Sequence, residues 1–195
     1  GQTANKPELN DAPHIVARLT YPVQIKNQII EASIQGYSGQ WVMASDQLSA
    51  GVKAKADKSY LDERYAASFV LYPKPFGIQA EYHVGTGPEF NKATDAIENQ
   101  KLSGGYVTAS YKIDWKKQVI IPFVRVQHYE GGKKHELDAR SYRVDETEVG
   151  IEWQPNKNFE LVAMYTMATK RAEDFKLQEN LQSGNMVRLQ AQVNF

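Results

Sequence analysis

The sequence has no cysteine, no long hydrophobic run and no excess of charge of either sign. The missing cysteines exclude disulfides and thiolate metal sites. No apolar stretch approaches the roughly 18 residues of a transmembrane helix. Because 23 basic side chains balance 23 acidic ones, no overall charge draws the chain towards nucleic acid. Helical spacing is also hard to find, and the 195 residues fit one domain.

What the chain does contain is a period of two. In the last eleven residues, apolar side chains alternate with polar ones up to the terminal Phe195, so the two kinds occupy opposite faces of a strand. About nine such segments occur, each of roughly nine to twelve residues, near the length that crosses a bilayer at a tilt. They are 14–23, 28–37, 64–72, 76–84, 102–113, 118–129, 142–154, 159–167 and 185–195. The pattern predicts an all-β, antiparallel chain.

The connections between these segments alternate in length. The short ones are 24–27, 73–75, 114–117 and 155–158, and the long polar ones are 38–63, 85–101, 130–141 and 168–184. Short turns on one rim and long loops on the other are typical of a transmembrane β-barrel of the bacterial outer membrane, in which the apolar faces meet lipid. We call the two rims the short-turn end and the long-loop end. An additional strand within 40–55 is left open.

Aromatic side chains gather near the rims. Those near the short-turn end are Tyr21, Phe76, Trp115, Trp153, Phe159 and Phe195, and those nearer the long-loop end are Tyr37, Tyr65, Tyr82 and Tyr165. Amphipathic rings favour the membrane–water interface, so we predict two aromatic belts. The alternative is that aromatic residues simply favour strands.

The parity of the strands carries a further expectation. Counting back from the closing strand places the start of the first strand at the long-loop end. Residues 1–13 are then predicted to be the tail of an outer loop, and 14–195 a single barrel domain. Single-chain bacterial barrels have an even number of strands, so an odd count predicts that this domain is the C-terminal part of a larger barrel.

Several segments resemble the phosphate-selective porin O and P family. They are 12–22, 67–73, 76–82 with 85–90, 129–134, 149–155 and 189–195. The resemblance implies a sixteen-stranded, homotrimeric outer-membrane barrel that passes phosphate, polyphosphate or less selective solutes, and it places the main constriction loops outside this chain. It also implies lipid and lipopolysaccharide as neighbours.

The polar faces supply candidate pore-lining residues. The predicted set is Arg18, Arg64, Lys112, Arg125, Arg188, Glu81 and Glu152. A guanidinium suits phosphate oxygens, and a series of such groups replaces an anion's hydration stepwise. Glutamates share these faces, however, so strong anion selectivity does not follow, and each arginine equally fits a charge paired with a facing glutamate.

No other chemistry competes strongly with a channel. His128, His135 and Glu136 lack a compact metal-ligand spacing, and no nucleophile motif is present, so we predict neither enzyme, metal nor cofactor. Two alternatives to a porin remain. One is a small closed outer-membrane barrel with a structural or adhesion role, and the other is a soluble ligand-binding barrel with its apolar face inward.

Overall fold

The computed structural model describes residues 10–194, and nearly all of them belong to strands or the turns between them. The strands are β1 (Ile15–Ile25), β2 (Gln28–Val42), β3 (Ser59–Leu71), β4 (Phe76–Asn91), β5 (Ala96–Tyr111), β6 (Ile113–Trp115), β7 (Gln118–Gly132), β8 (Ser141–Asn156), β9 (Phe159–Glu173) and β10 (Asn180–Val193). One-turn 3-10 helices lie at Ser45–Gln47 and Leu137–Ala139. The all-β prediction is confirmed.

The strands form one antiparallel sheet in which sequence neighbours are also neighbours in space. Its order is β1-β2-β3-β4-β5-β7-β8-β9-β10, and the short β6 continues beside β7 after β5 ends. Short turns connect the strands at one rim, as the chain pattern predicts. Connections this short allow only antiparallel pairing, because a parallel pair needs a crossover of a dozen or more residues. Within residues 10–194, β1 and β10 each pair with one strand only, so the described sheet has two open edges.

The strands extend further towards the long-loop end than the alternation indicates. The predicted loop 85–101 is wrong, because β4 and β5 form a continuous hairpin from Phe76↔Tyr111 to Asn91↔Ala96. Pro88 lies inside β4. The pairing of β4 with β3 ends at Thr86, so a residue without an N–H is tolerated beyond that point.

The segment 40–55 contains no additional strand. Trp41 and Val42 are the last residues of β2, and the 3-10 helix Ser45–Gln47 follows. Lys53 makes only an isolated bridge to Ala96. Residues 10–13 lie beside the outer part of β2, where the Asn10 side-chain amide donates to the Gln40 carbonyl at 3.2 Å. Residues 1–9, which hold most of the predicted loop tail, lie outside the described residues.

Exposure along β8 shows which side of the sheet is enclosed. Val149 and Ile151 are 51% and 45% exposed, whereas the side chain of Glu148, which directly precedes Val149, is only 13% exposed. Apolar side chains therefore point away from the sheet's inner side and charged ones point towards it. A water-soluble barrel has the opposite arrangement, because burying apolar surface is what stabilises it in water.

The main buried apolar cluster lies at the long-loop end rather than between the strands. It consists of Trp41, Met43, Tyr60, Phe90, Ile97 and Ala139, with Leu48, Val52 and Phe175 packed against it. Most of these residues belong to the outer ends of strands or to the long connections. The cluster thus fastens the connections to the sheet.

Candidate channel wall

The side chains opposite the apolar ones form a continuous surface across the sheet, which we call the polar face. On it the Arg125 guanidinium lies 3.7 Å from the Glu148 carboxylate, directly across the β7–β8 pair. Arg125 also stacks on the Tyr106 ring, with 4.6 Å between the guanidinium carbon and the ring centroid. The Thr166 hydroxyl donates to Glu148 at 3.2 Å. These contacts fix both charges in position.

Arg64 sits nearer the long-loop end of the polar face. Its cross-strand partner is Tyr37, and within residues 10–194 its Nε has no hydrogen-bond partner. His83 and Tyr129 lie on the next inward-facing row towards the short-turn end, with ring centroids 5.9 Å apart on either side of Gly104. Tyr37 was expected in an aromatic belt, but it faces inward because its parity in β2 matches the polar set.

Three carboxylates of the polar face accept hydrogen bonds from neutral amides. Gln35 donates to Glu81 at 3.3 Å, across the intervening strand β3. Gln127 donates to Glu146 across the β7–β8 pair, and Gln154 donates to Glu152 within β8. Of the glutamates just named, none forms an ion pair within the described residues. The polar face therefore carries free charge of both signs.

The remaining predicted pore residues lie apart from this group. Arg18 is on the edge strand β1, where its Nε donates to Thr20 at 3.1 Å. Arg188 is on the opposite edge strand β10, across from Met164. Lys112 lies at the short-turn end, 3.0 Å from Asp114. The structure thus brings Arg125, Glu148 and the glutamine-held carboxylates together, and leaves these three cations at the margins.

The structure also reveals a contact set that the sequence pattern does not indicate. Asp62, near the outer end of β3, is fully buried and forms an ion pair with Lys134 from the β7–β8 connection. The Tyr37 hydroxyl donates to the same carboxylate at 3.1 Å. Asp62 and Lys134 are 72 residues apart, so no local pattern signals their meeting.

The comparison with known proteins agrees with this geometry. The family model for phosphate-selective porin O and P matches residues 40–195, most of the chain. The chain belongs to this porin family. No curated protein and no solved structure matches this chain. Porins of this family are bacterial outer-membrane channels rather than enzymes, so the protein is assigned to the outer membrane.

In a porin of the outer membrane, exposed aromatic rings on the apolar face are expected at the membrane–water interface. Tyr21, Phe76, Trp115 and Trp153 lie near the short-turn end and are 38–72% exposed on the apolar face. The Trp153 indole N–H donates to the Gln118 side chain at 2.8 Å. Phe159 is half-buried in the first position of β9, and Phe195 lies outside the described residues. That these rings mark the membrane interface stays a prediction.

Two further observations concern membrane-spanning helices and metal sites. No helix within residues 10–194 is long and apolar enough to span a membrane. Across the same part of the chain, no group of three or more His, Asp or Glu side chains is arranged to hold a metal ion. His128 pairs with Asp145, and His135 packs against Trp41.

Proposed function

We propose that this porin forms a water-filled diffusion channel for small hydrophilic solutes, phosphate and other anions among them, whose wall is the polar face. The observation that carries the proposal is the burial pattern of β8, in which Glu148 is far less exposed than Val149. Charged groups on the enclosed side of a sheet require water or ionic partners there, because isolated charges in a dry interior are too costly. A water-filled lumen satisfies them.

The mixed charge of the polar face favours a channel of moderate selectivity. Arg64 and Arg125 attract anions, and a guanidinium binds phosphate oxygens through two parallel hydrogen bonds. The amide-held Glu81, Glu146 and Glu152 repel anions from the same wall. Weak attraction at several places permits both entry and release, which conduction requires.

The larger assembly is also a proposal. An open strand edge is not stable within hydrocarbon, because its unpaired backbone groups have no water to bond. The edges of β1 and β10 therefore need partner strands, and we propose that residues 14–195 form part of a larger, sixteen-stranded barrel wall. We further propose a homotrimer surrounded by lipid and lipopolysaccharide. Family membership supports both proposals, and the two open edges support the larger barrel.

Reconstitution in planar bilayers tests the proposed function. We expect discrete single-channel currents in potassium chloride, and a reversal potential in a salt gradient that is modest rather than that of an ideal anion channel. Replacing chloride by phosphate should leave a measurable current. Absence of any current from protein that has inserted would reject the channel. An ideally cation-selective current would reject passage of phosphate.

A further inference from the structure

The connection between β7 and β8, residues 133–140, contacts strands on the far side of the sheet, and we call it the inward loop. In the sheet order, β4 and β5 separate its own strands from β3, and β3 itself separates them from β2. Even so, Lys134 pairs with Asp62 of β3, and the His135 ring packs edge-on against Trp41 of β2 at 4.7 Å. A contact that skips these strands must cross the enclosed side of the sheet.

The Asp62–Lys134 pair is the firmest of these crossing contacts. Asp62 is fully buried and the Lys134 side chain is 14% exposed. The Lys134 ammonium also lies over the rings of Tyr37 and Trp41, at 5.6 and 4.9 Å from their centroids. Removing one partner of a buried pair leaves an uncompensated charge, which is strongly unfavourable. The pair therefore holds the inward loop against β3, and we call Asp62 and Lys134 the clasp.

Further bonds hold the inward loop along its length. Gln47 donates to the His135 carbonyl at 3.1 Å, and the Ser49 backbone N–H donates to Asp138 at 2.7 Å. At the other end of the loop, Arg140 donates through Nε to the buried Asp174 at 2.8 Å. Asp138 adopts a φ of 55°, in the left-handed region. Such a conformation persists where surrounding contacts hold it.

We propose that the inward loop narrows the channel at the long-loop end and sets the size of solute admitted, with Asp62 and Lys134 as the clasp that keeps it in place. This rests on the proposed channel function. A loop anchored on both sides of a lumen reduces the open cross-section, whereas a loop standing out from the rim does not. Releasing the clasp therefore widens the mouth.

Lys134→Met, Asp62→Asn and the double variant test the clasp, because Met and Asn keep the shape of the side chains and remove their charges. The double variant leaves no buried unpaired charge, so it remains available if a single variant folds poorly. Lys133→Met is the matched control. Lys133 carries the same charge in the same loop, but it pairs with Glu136 and lies over the Tyr142 ring on its own side.

Single-channel conductance and exclusion of poly(ethylene glycol) of graded mass provide the readouts. We expect each clasp variant to raise conductance by roughly 1.5- to 2-fold and to admit larger polymers. The two single effects should not add in the double variant, since both release one contact. The Lys133→Met channel should match the wild type.

Three results would overturn the inference, and they are distinguishable from one another. Unchanged conductance and polymer exclusion in the clasp variants, alongside a conducting wild type, would reject the inward loop as the narrowing element and leave the channel intact. Inserted wild-type protein that carries no current would reject the proposed function and this inference together. An equal change in Lys133→Met would assign the effect to charge alone, against the clasp.

Discussion

At the scale of single residues, substitutions in the Arg125–Glu148 pair test the channel's selectivity between anions and cations most directly. Arg125→Gln leaves the Glu148 carboxylate without its cation, so the reversal potential should shift towards cations. Glu148→Gln should shift it towards anions. Lys112→Gln is the control, because Lys112 pairs with the exposed Asp114 at the short-turn end, where salt screens it. Equal shifts in all three variants would remove the pair from the solute path.

A second residue-scale prediction concerns Gly104 on the polar face. An added Cβ would lie 2.8 Å from the His128 carbonyl oxygen and 3.0 Å from ring atoms of both His83 and Tyr129. We expect Gly104→Ala to lower the free energy of unfolding by about 1–3 kcal/mol, as overpacking does. Gly184→Ala is the control, since nothing lies within 4 Å of its added Cβ. Denaturant midpoints in detergent compare them, and equal midpoints would refute the close packing.

At the scale of elements, the inward loop should be sensitive to acid. Burial, and next the Lys134 ammonium, lowers the pKa of His135 below its usual 6.5, with Arg64 acting in the same direction and Asp62 against it. A released loop therefore binds a proton more readily than the docked loop. Docking is fully favoured above about pH 6.5 and weakens as the pH falls through that value.

Hydrogen exchange of the backbone amides in residues 133–140 measures this effect. After correction for the intrinsic rate, protection should be lower at about pH 5.5 than at about pH 7.5. His135→Phe keeps an aromatic ring against Trp41 and removes the titration, so its protection should not change with pH. Protection that rises on acidification in the wild type would contradict the assigned direction of the pKa shift.

The elements also show what sequence pattern does and does not determine. Alternation correctly predicts which side chains of β8 lie on each face of the sheet. The prediction is sharp because a register shift of one residue would move every side chain to the other face. Alternation misses the outer part of the β4–β5 hairpin, because main-chain pairing there needs no apolar face. Pro88 also lies within this hairpin, although proline is typical of strand ends. Alternation also misses the inward loop, because Asp62 and Lys134 meet only through the folded sheet.

The predicted pore residues divide in the same way. Arg64, Arg125, Glu81 and Glu152 follow from parity alone and lie on the polar face together. Parity also places Arg18 and Arg188 on this face, but it does not indicate that both lie on edge strands. Strand position within the sheet depends on the whole chain, not on any local segment.

At the scale of the whole molecule, the proposed trimer has a direct consequence. Unheated protein extracted from outer membranes should migrate in detergent gels as an assembly of about three chains and convert to a single chain on heating, because wide hydrophobic interfaces resist detergent. In bilayers, conductance should appear and close in groups of three equal steps. Single equal steps together with single-chain migration would contradict the trimer.

The proposed channel requires that the polar face of the sheet meets water and the apolar face meets lipid. Because the chain lacks cysteine, single cysteines at positions 146–149 and 151–153 can each carry a nitroxide label in lipid vesicles. Labels at 147, 149, 151 and 153 should collide with lipid-dissolved oxygen, and those at 146, 148 and 152 with a water-soluble nickel complex. The opposite alternation, or no alternation, would contradict a channel wall.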